Sequence, residues 1–123
     1  MEINDFLKNY SVHDSTVTEL DVSAGLLTFA IELACFDNER SVVNLRFGVL
    51  SDTNDVNIEK IRTCLQNGGD VGLLKFSCVT MMDHFNSWLF FELMDYHTRI
   101  RSYVEVSLES KTVNVFFVNT KPV

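Results

Sequence analysis

A chain of 123 residues, 46% of them hydrophobic and 22% charged, has enough apolar side chains for one hydrophobic core and is too short for two ordinary domains. We therefore expect a single domain over residues 1–123, and the apolar content excludes an intrinsically disordered chain. The formal net charge of −7 argues against direct binding to nucleic acid or to an anionic membrane, because both require a basic surface.

The start of the chain and its cysteines predict a cytoplasmic protein. The first residues lack the basic and apolar regions of a signal peptide, and no apolar run approaches the roughly 20 residues that span a bilayer. Cys35, Cys64 and Cys78 are odd in number, have no CxxC spacing and lie in apolar, regular stretches. We expect them to be buried thiols, which favours a reducing compartment.

The N-terminal third is predicted to form a short helix over residues 3–9 and then an antiparallel hairpin. Alternation of apolar and polar residues with period 2 predicts strands over residues 16–23 and 26–36, joined by Ala24-Gly25 as a two-residue turn. The predicted cross-strand pairs are Leu20–Phe29, Val22–Leu27, Thr18–Ile31, Asp21–Thr28 and Glu19–Ala30. In this register one face of the hairpin is apolar, and the other carries acidic or small residues.

A third strand is predicted over residues 43–49, where apolar residues again alternate. A five-residue loop over residues 37–41 would join it to the second strand. The pairs predicted with this loop are Cys35–Val43, Leu33–Leu45, Ile31–Phe47 and Glu32–Arg46. The first three strands would then form an antiparallel meander with one face in water.

The second half of the chain is predicted to begin with a helix over residues 55–67, ended by Gly68-Gly69. Alternation from Leu74 to Met82 predicts a strand. The segment Trp88–Met94 is apolar on both faces, which is typical of a central strand covered on both sides or of a strand facing a partner, and we expect the central position.

A last hairpin with its turn at Ser110-Lys111 completes the prediction. Its expected pairs are Leu108–Val113, Val106–Val115 and Val104–Phe117. The elements together predict an α+β fold with a mainly antiparallel sheet of about seven strands, meander-like hairpins and one or two helices.

The negative charge is concentrated in the first third of the sequence. Residues 1–39 contain eight acidic residues and one basic residue, whereas the remaining acids and bases balance. Such an asymmetry indicates a basic partner, although acidic residues also serve solubility. Within this third, Glu19 and Asp21 are predicted on the outer face of the first strand, and Asp37 and Glu39 in the loop after the second. We predict these four residues as partner-binding residues, with Asp5 and Asp14 as possible extensions of the surface.

Motifs for nucleotide binding and hydrolysis are missing from the sequence. It contains no GxxxxGK[ST], GxGxxG, GxSxG or HExxH, and we expect neither a cofactor nor a metal. His13, His84 and His97 each have an aspartate nearby, which leaves open a small enzyme or metal-binding protein if the three converge. His13-Asp14-Ser15 contains the residue types of a hydrolase triad, but adjacent residues of an extended segment point to opposite faces. A structural role of Asp14 or Ser15, bonded to nearby amides, is therefore favoured.

The stretch from Tyr10 to Val17, YSVHDSTV, followed by alternating strands, resembles the opening of small bacterial β-rich domains. Some of these families are regarded as immunity proteins of polymorphic-toxin and contact-dependent growth-inhibition systems. The resemblance implies a cytoplasmic, non-catalytic inhibitor that binds one toxin domain, with His13-Asp14-Ser15 as a structural element. A nuclease-like toxin domain is basic, so an acidic surface would suit it. The other alternative is a structural or oligomeric module, with Trp88–Met94 at a homodimer interface.

Overall fold

The computed structural model describes residues 1–34, 42–49 and 56–118, which form two helices and six strands. The elements in chain order are α1 Ile3–Asn9, β1 Ser15–Ser23, β2 Leu26–Glu32, β3 Val42–Val49, α2 Val56–Gln66, β4 Asp70–Thr80, β5 Phe85–Asp95 and β6 Ile100–Val118. All six strand pairings are antiparallel, and they close a barrel in the order β1-β2-β3-β6-β5-β4. The mainly antiparallel α+β class is confirmed, with six strands in the described ranges instead of seven.

The core fills the inside of the barrel, because each strand turns its apolar set inward. Phe29 of β2 is fully buried, and its ring centroid lies 6.2 Å from that of Phe47 on β3 and 5.4 Å from that of Phe91 on β5. Three strands from different parts of the wall therefore meet through one aromatic cluster. Offset and edge-on ring contacts of this kind are the favoured geometries for aromatic pairs.

The hairpin of β1 and β2 is confirmed, with one error in register. Ala24 and Gly25 have φ of 49° and 78°, the paired positive values of a tight turn whose twist suits a hairpin. Leu20 pairs with Phe29 as predicted, but Ile31 pairs with Val17 and not with Thr18. A β-bulge at position 18 causes the difference, because the extra residue leaves the ladder and points to solvent.

The predicted register of β2 and β3 is wrong by four residues. Ile31 pairs with Val43 and not with Phe47, and Arg46 lies opposite Thr28 and not opposite Glu32. The shift is an even number, so every side chain keeps its predicted face. The predicted loop over residues 37–41 and the predicted pairing of Cys35 lie outside the described residues.

The predicted last hairpin is wrong, because the chain continues through Ser110 and Lys111 as one strand. β6 pairs with β5 as far as Ser110 and with β3 from Ser110 onward. Against β3, Ser110 pairs with Val49 and Thr112 with Gly48, so Lys111 is an extra residue in a bulge. Even-numbered residues of β6 point into the barrel before this bulge, and odd-numbered residues point inward after it. The same break in alternation had predicted a turn.

Both predicted helices are confirmed within the described residues; position 55 lies outside them. α1 lies against β4 and β6 and buries Ile3 and Phe6 completely. α2 packs against β1, β4, β5 and β6 through Ile58 and Ile61, so it covers the side of the barrel where these four strands meet. In the part of the chain that the structure describes, no helix has the length and apolar character needed to cross a bilayer.

Candidate functional site

Glu19 and Asp21, two of the predicted partner-binding residues, lie together on the outer face of β1. Both side chains are exposed, and across β2 they face Ala30 and Thr28, which carry no charge. Within the described ranges, neither carboxylate forms an ion pair. The predicted contributions of Asp37 and Glu39 lie outside the described residues.

The basic residue on the same outer face is turned away from this pair. Arg46 stands in one cross-strand row with Asp21, two strands away through Thr28. Its guanidinium lies 5.0 Å from the ring centroid of Phe116 on β6, the strand on its other side. A cation held over an aromatic ring is stabilised by the negative ring face. The β1 side of the surface therefore keeps its negative charge.

Asp5 and Asp14, the suggested extensions, do not join Glu19 and Asp21. Asp5 lies on α1, and Asp14 precedes β1. Asp14 is seven residues from Asp21, which is about 23 Å along an extended strand. The acidic residues of the first third are therefore distributed over more than one surface.

Asp14 lines a different acidic concavity, about 400 Å³ in volume, above Gly72 of β4. Asp70 and Glu92 also line it, and Asp70 accepts a hydrogen bond from the hydroxyl of Tyr96, which raises the pKa of this tyrosine. Sequence reasoning missed the concavity, because its carboxylates come from three distant segments. The signal for it was a glycine inside a strand, which leaves room above the sheet.

Three aromatic side chains form a stacked row on the outer face of β5 and β6. The ring centroids of Trp88 and Phe90 are 5.9 Å apart with planes at 6°, and those of Phe90 and Tyr103 are 5.7 Å apart with planes at 11°. Trp88 and Phe90 are half-buried, whereas Tyr103 is 52% exposed. β5 lies between β4 and β6, but in a closed barrel every strand has two neighbours, so the prediction of a central strand covered on both sides is not confirmed. At the Trp88 end of the row, Leu7 and Tyr10 line a shared concavity with this ring.

The three histidines do not converge. His84 precedes β5 and His97 follows it, so the 11 residues of this strand, about 36 Å, separate them. Among the described residues there is no group of three side chains that could hold a metal ion. This separation therefore excludes a single site that contains all three histidines.

His13 and Asp14 form a turn, and Ser15 is the first residue of β1. Asp14 has φ of 62°, and His13 Nε2 lies 3.3 Å from Asp14 Oδ2, so the expectation that these neighbours cannot meet is wrong. Ser15 points the other way: its hydroxyl is buried and has no hydrogen-bond partner among the described atoms. The three side chains therefore do not form a hydrolase triad.

A second cavity of about 370 Å³ lies between α2 and the ends of β5 and β6. Cys64 lines it and is partly buried, as is Cys78 on β4, so both are less buried than predicted; Cys35 lies outside the described residues. Burial raises the pKa of the Cys64 thiol, which keeps it protonated at neutral pH. A protonated thiol is a weaker nucleophile than a thiolate.

Two aspartates beside histidines are expected to respond differently to the loss of the imidazole. Asp83 Oδ1 lies 2.7 Å from His84 Nδ1, and this hydrogen bond holds the pKa of Asp83 below its ordinary value. Asp95 Oδ1 instead accepts the backbone N–H of His97 at 2.8 Å, which lowers the pKa of Asp95. We expect His84→Ala to raise the pKa of Asp83 and His97→Ala to leave that of Asp95 low, as measured by NMR titration of the carboxyl groups.

The sign of the accompanying stability change follows from the lowered pKa of Asp83. Its ionised form is favoured in the folded state, so its contribution is present above the unfolded pKa and is lost as pH falls through the folded pKa. The contribution of Asp83 to the difference in free energy of unfolding between the unchanged chain and His84→Ala should therefore be present at pH 5 and lost in strong acid. An Asp83 pKa that does not move in His84→Ala would contradict the assignment.

Comparison of the chain with family models, with curated proteins and with solved structures gives no match in any of the three. The geometry described above is therefore the basis for a functional proposal.

Proposed function

We propose that this chain is a non-catalytic binding protein that neutralises a basic protein partner through an acidic surface containing Glu19 and Asp21. The observation that supports it is the exposed pair of carboxylates on β1, which no described cation neutralises. Together with the resemblance of YSVHDSTV to immunity proteins, the proposal specifies a cytoplasmic bacterial inhibitor of a nuclease-like toxin domain.

The physical reason is electrostatic complementarity. A protein that cleaves nucleic acid holds phosphates with basic side chains, so an acidic surface can occupy the same cleft and exclude the substrate. Opposite charges also steer the encounter and raise the association rate by up to a few orders of magnitude at low salt. Binding of this kind is saturable, stoichiometric and weakened by salt.

Reversal of both charges is the direct test. We expect Glu19→Lys combined with Asp21→Lys to weaken binding to the basic partner about 10- to 100-fold at low salt, with most of the loss in the association rate. The partner is first captured from lysate of the native cells and identified by mass spectrometry. Its affinity and association rate with each variant are then measured by surface plasmon resonance at two salt concentrations.

The matched control makes the same charge change elsewhere. Glu2 and Asp5 are exposed at the start of α1, so Glu2→Lys combined with Asp5→Lys changes the net charge equally without altering the β1 surface. Equal weakening by both double variants would mean that only net charge matters. Unchanged affinity of the β1 variant would exclude this surface from the interface.

A further inference from the structure

The stacked row of Trp88, Phe90 and Tyr103 lies on the outer face of the barrel, where Tyr103 is 52% exposed and Trp88 and Phe90 are half-buried. The stacking fixes the three rings relative to one another, so a partner that binds them orders few side chains on this protein. Aromatic side chains of this kind are enriched among the residues that contribute most to protein interfaces.

Another outward ring of the same barrel is already covered by a cation. Arg46 lies over Phe116, whereas no described arginine or lysine lies over the three rings of the row. Arg101, the nearest arginine on β6, is bound to Glu92 at 3.1 Å. Lys75 of β4 lies opposite Phe90 of β5, yet the Lys75 ammonium group is not over the Phe90 ring.

A carboxylate without a described ion-pair partner lies directly beside the row. Glu105 of β6 pairs with Phe90 across the ladder, and its exposed side chain points to the same face. Residues opposite each other in antiparallel strands have Cβ atoms about 5 Å apart. Tyr103, an end ring of the row, is two residues from Glu105 on the same face of β6, so a cation stacked on the open side of Tyr103 would be within reach of the Glu105 carboxylate.

We propose that the row of Trp88, Phe90 and Tyr103, together with Glu105, is a docking surface for an arginine-bearing segment of the basic protein partner. The inference rests on the proposed function and adds a second surface to it. The guanidinium plane stacks on the rings and pairs with Glu105, contacts for which arginine is better suited than lysine. A second copy of this chain fits less well, because its own charge is −7 and each copy would bring Glu105 and Glu109 to the interface.

The test uses a short blocked peptide of alternating glycine and arginine. Trp88 is the single tryptophan of the chain, so its fluorescence reports binding at the row. We expect a saturable change in emission, with shifts of the Trp88 indole and of the Phe90 and Glu105 amides in ¹H–¹⁵N spectra. A peptide of alternating glycine and lysine should bind more weakly than the arginine peptide. A peptide of alternating glycine and glutamate should not bind.

Four variants separate the row from general charge effects. Phe90→Thr, which keeps a residue that favours strands, and Glu105→Gln should each weaken peptide binding about fivefold. Lys75→Gln should strengthen binding, because it removes a like charge beside Phe90. Phe116→Thr removes an outward ring on the part of β6 that pairs with β3, away from the row, and should leave peptide affinity unchanged.

The outcomes distinguish this inference from the proposed function. Peptide shifts confined to Glu19 and Asp21 would overturn the docking surface and leave the acidic-surface proposal standing. Absence of shifts anywhere would overturn the docking surface, whereas the acidic-surface proposal is decided by the charge reversal at Glu19 and Asp21. Light scattering that shows a dimer, with Phe90→Thr converting it to a monomer, would assign the row to a second copy and also overturn the inference.

Discussion

Replacement of Phe29 by alanine is expected to lower the free energy of unfolding by about 3–5 kcal/mol. Phe29 is fully buried and its ring contacts those of Phe47 and Phe91, so truncation leaves a cavity bounded by β2, β3 and β5. Backbone hydrogen bonds around the closed barrel prevent these strands from moving together to fill it. Urea unfolding followed by circular dichroism measures the loss.

Phe116→Ala is the matched control for Phe29→Ala. Phe116 is 45% exposed on the outer face of β6, so its removal should cost about 1 kcal/mol or less, including its contact with Arg46. Equal losses in the two variants would contradict the position of Phe29 in the core.

Gly69→Ala is expected to lower the free energy of unfolding by about 1–3 kcal/mol. A Cβ at this position would lie 2.6 Å from the backbone oxygen of Met94 and 2.6 Å from Cys64 Sγ. The thiol can rotate, but the Met94 oxygen belongs to β5 and cannot yield without moving the strand. Because the Gly69 N–H also donates to the Cys64 carbonyl at 2.8 Å, we expect the end of α2 to detach first.

Gly72→Ala provides the comparison on the same strand segment. Its Cβ would meet nothing closer than the Ser15 backbone oxygen at 3.8 Å, so the change should stay within about 0.5 kcal/mol. Thermal unfolding measures both variants, and hydrogen exchange should show faster amide exchange in α2 for Gly69→Ala alone. A stable Gly69→Ala with unchanged exchange would contradict the close approach of α2 to β5.

Local patterns in the sequence were sufficient for both helices, for the strands that precede β6 and for most inward-facing residues. Both helices and the turn at Ala24-Gly25 could be predicted, because each depends on residues close together in the chain. The bulges at Thr18 and Lys111 could not be predicted, since a bulge and a change of strand give the same break in alternation. At Lys111 this break was interpreted as a hairpin, which produced a seventh strand.

Of the candidate surfaces, too, only the one formed by residues close together in the chain could be predicted from the sequence. Glu19 and Asp21 could be placed on one face, because they are two residues apart in one strand. The row of Trp88, Phe90 and Tyr103 depends on the pairing of β5 with β6, and the concavity above Gly72 depends on three separate segments. Contacts between distant segments require the register, which the alternation of side chains does not determine.

The change of pairing partner along β6 has a consequence for how the protein is made. This strand contributes one edge to β5 and the other to β3, so neither neighbour is complete until β6 has left the ribosome. Strands β1 to β5 are translated earlier and must wait with hydrogen-bonding edges and apolar faces uncovered. Folding should therefore be late and cooperative during synthesis, and the nascent chain before β6 is a natural client for chaperones.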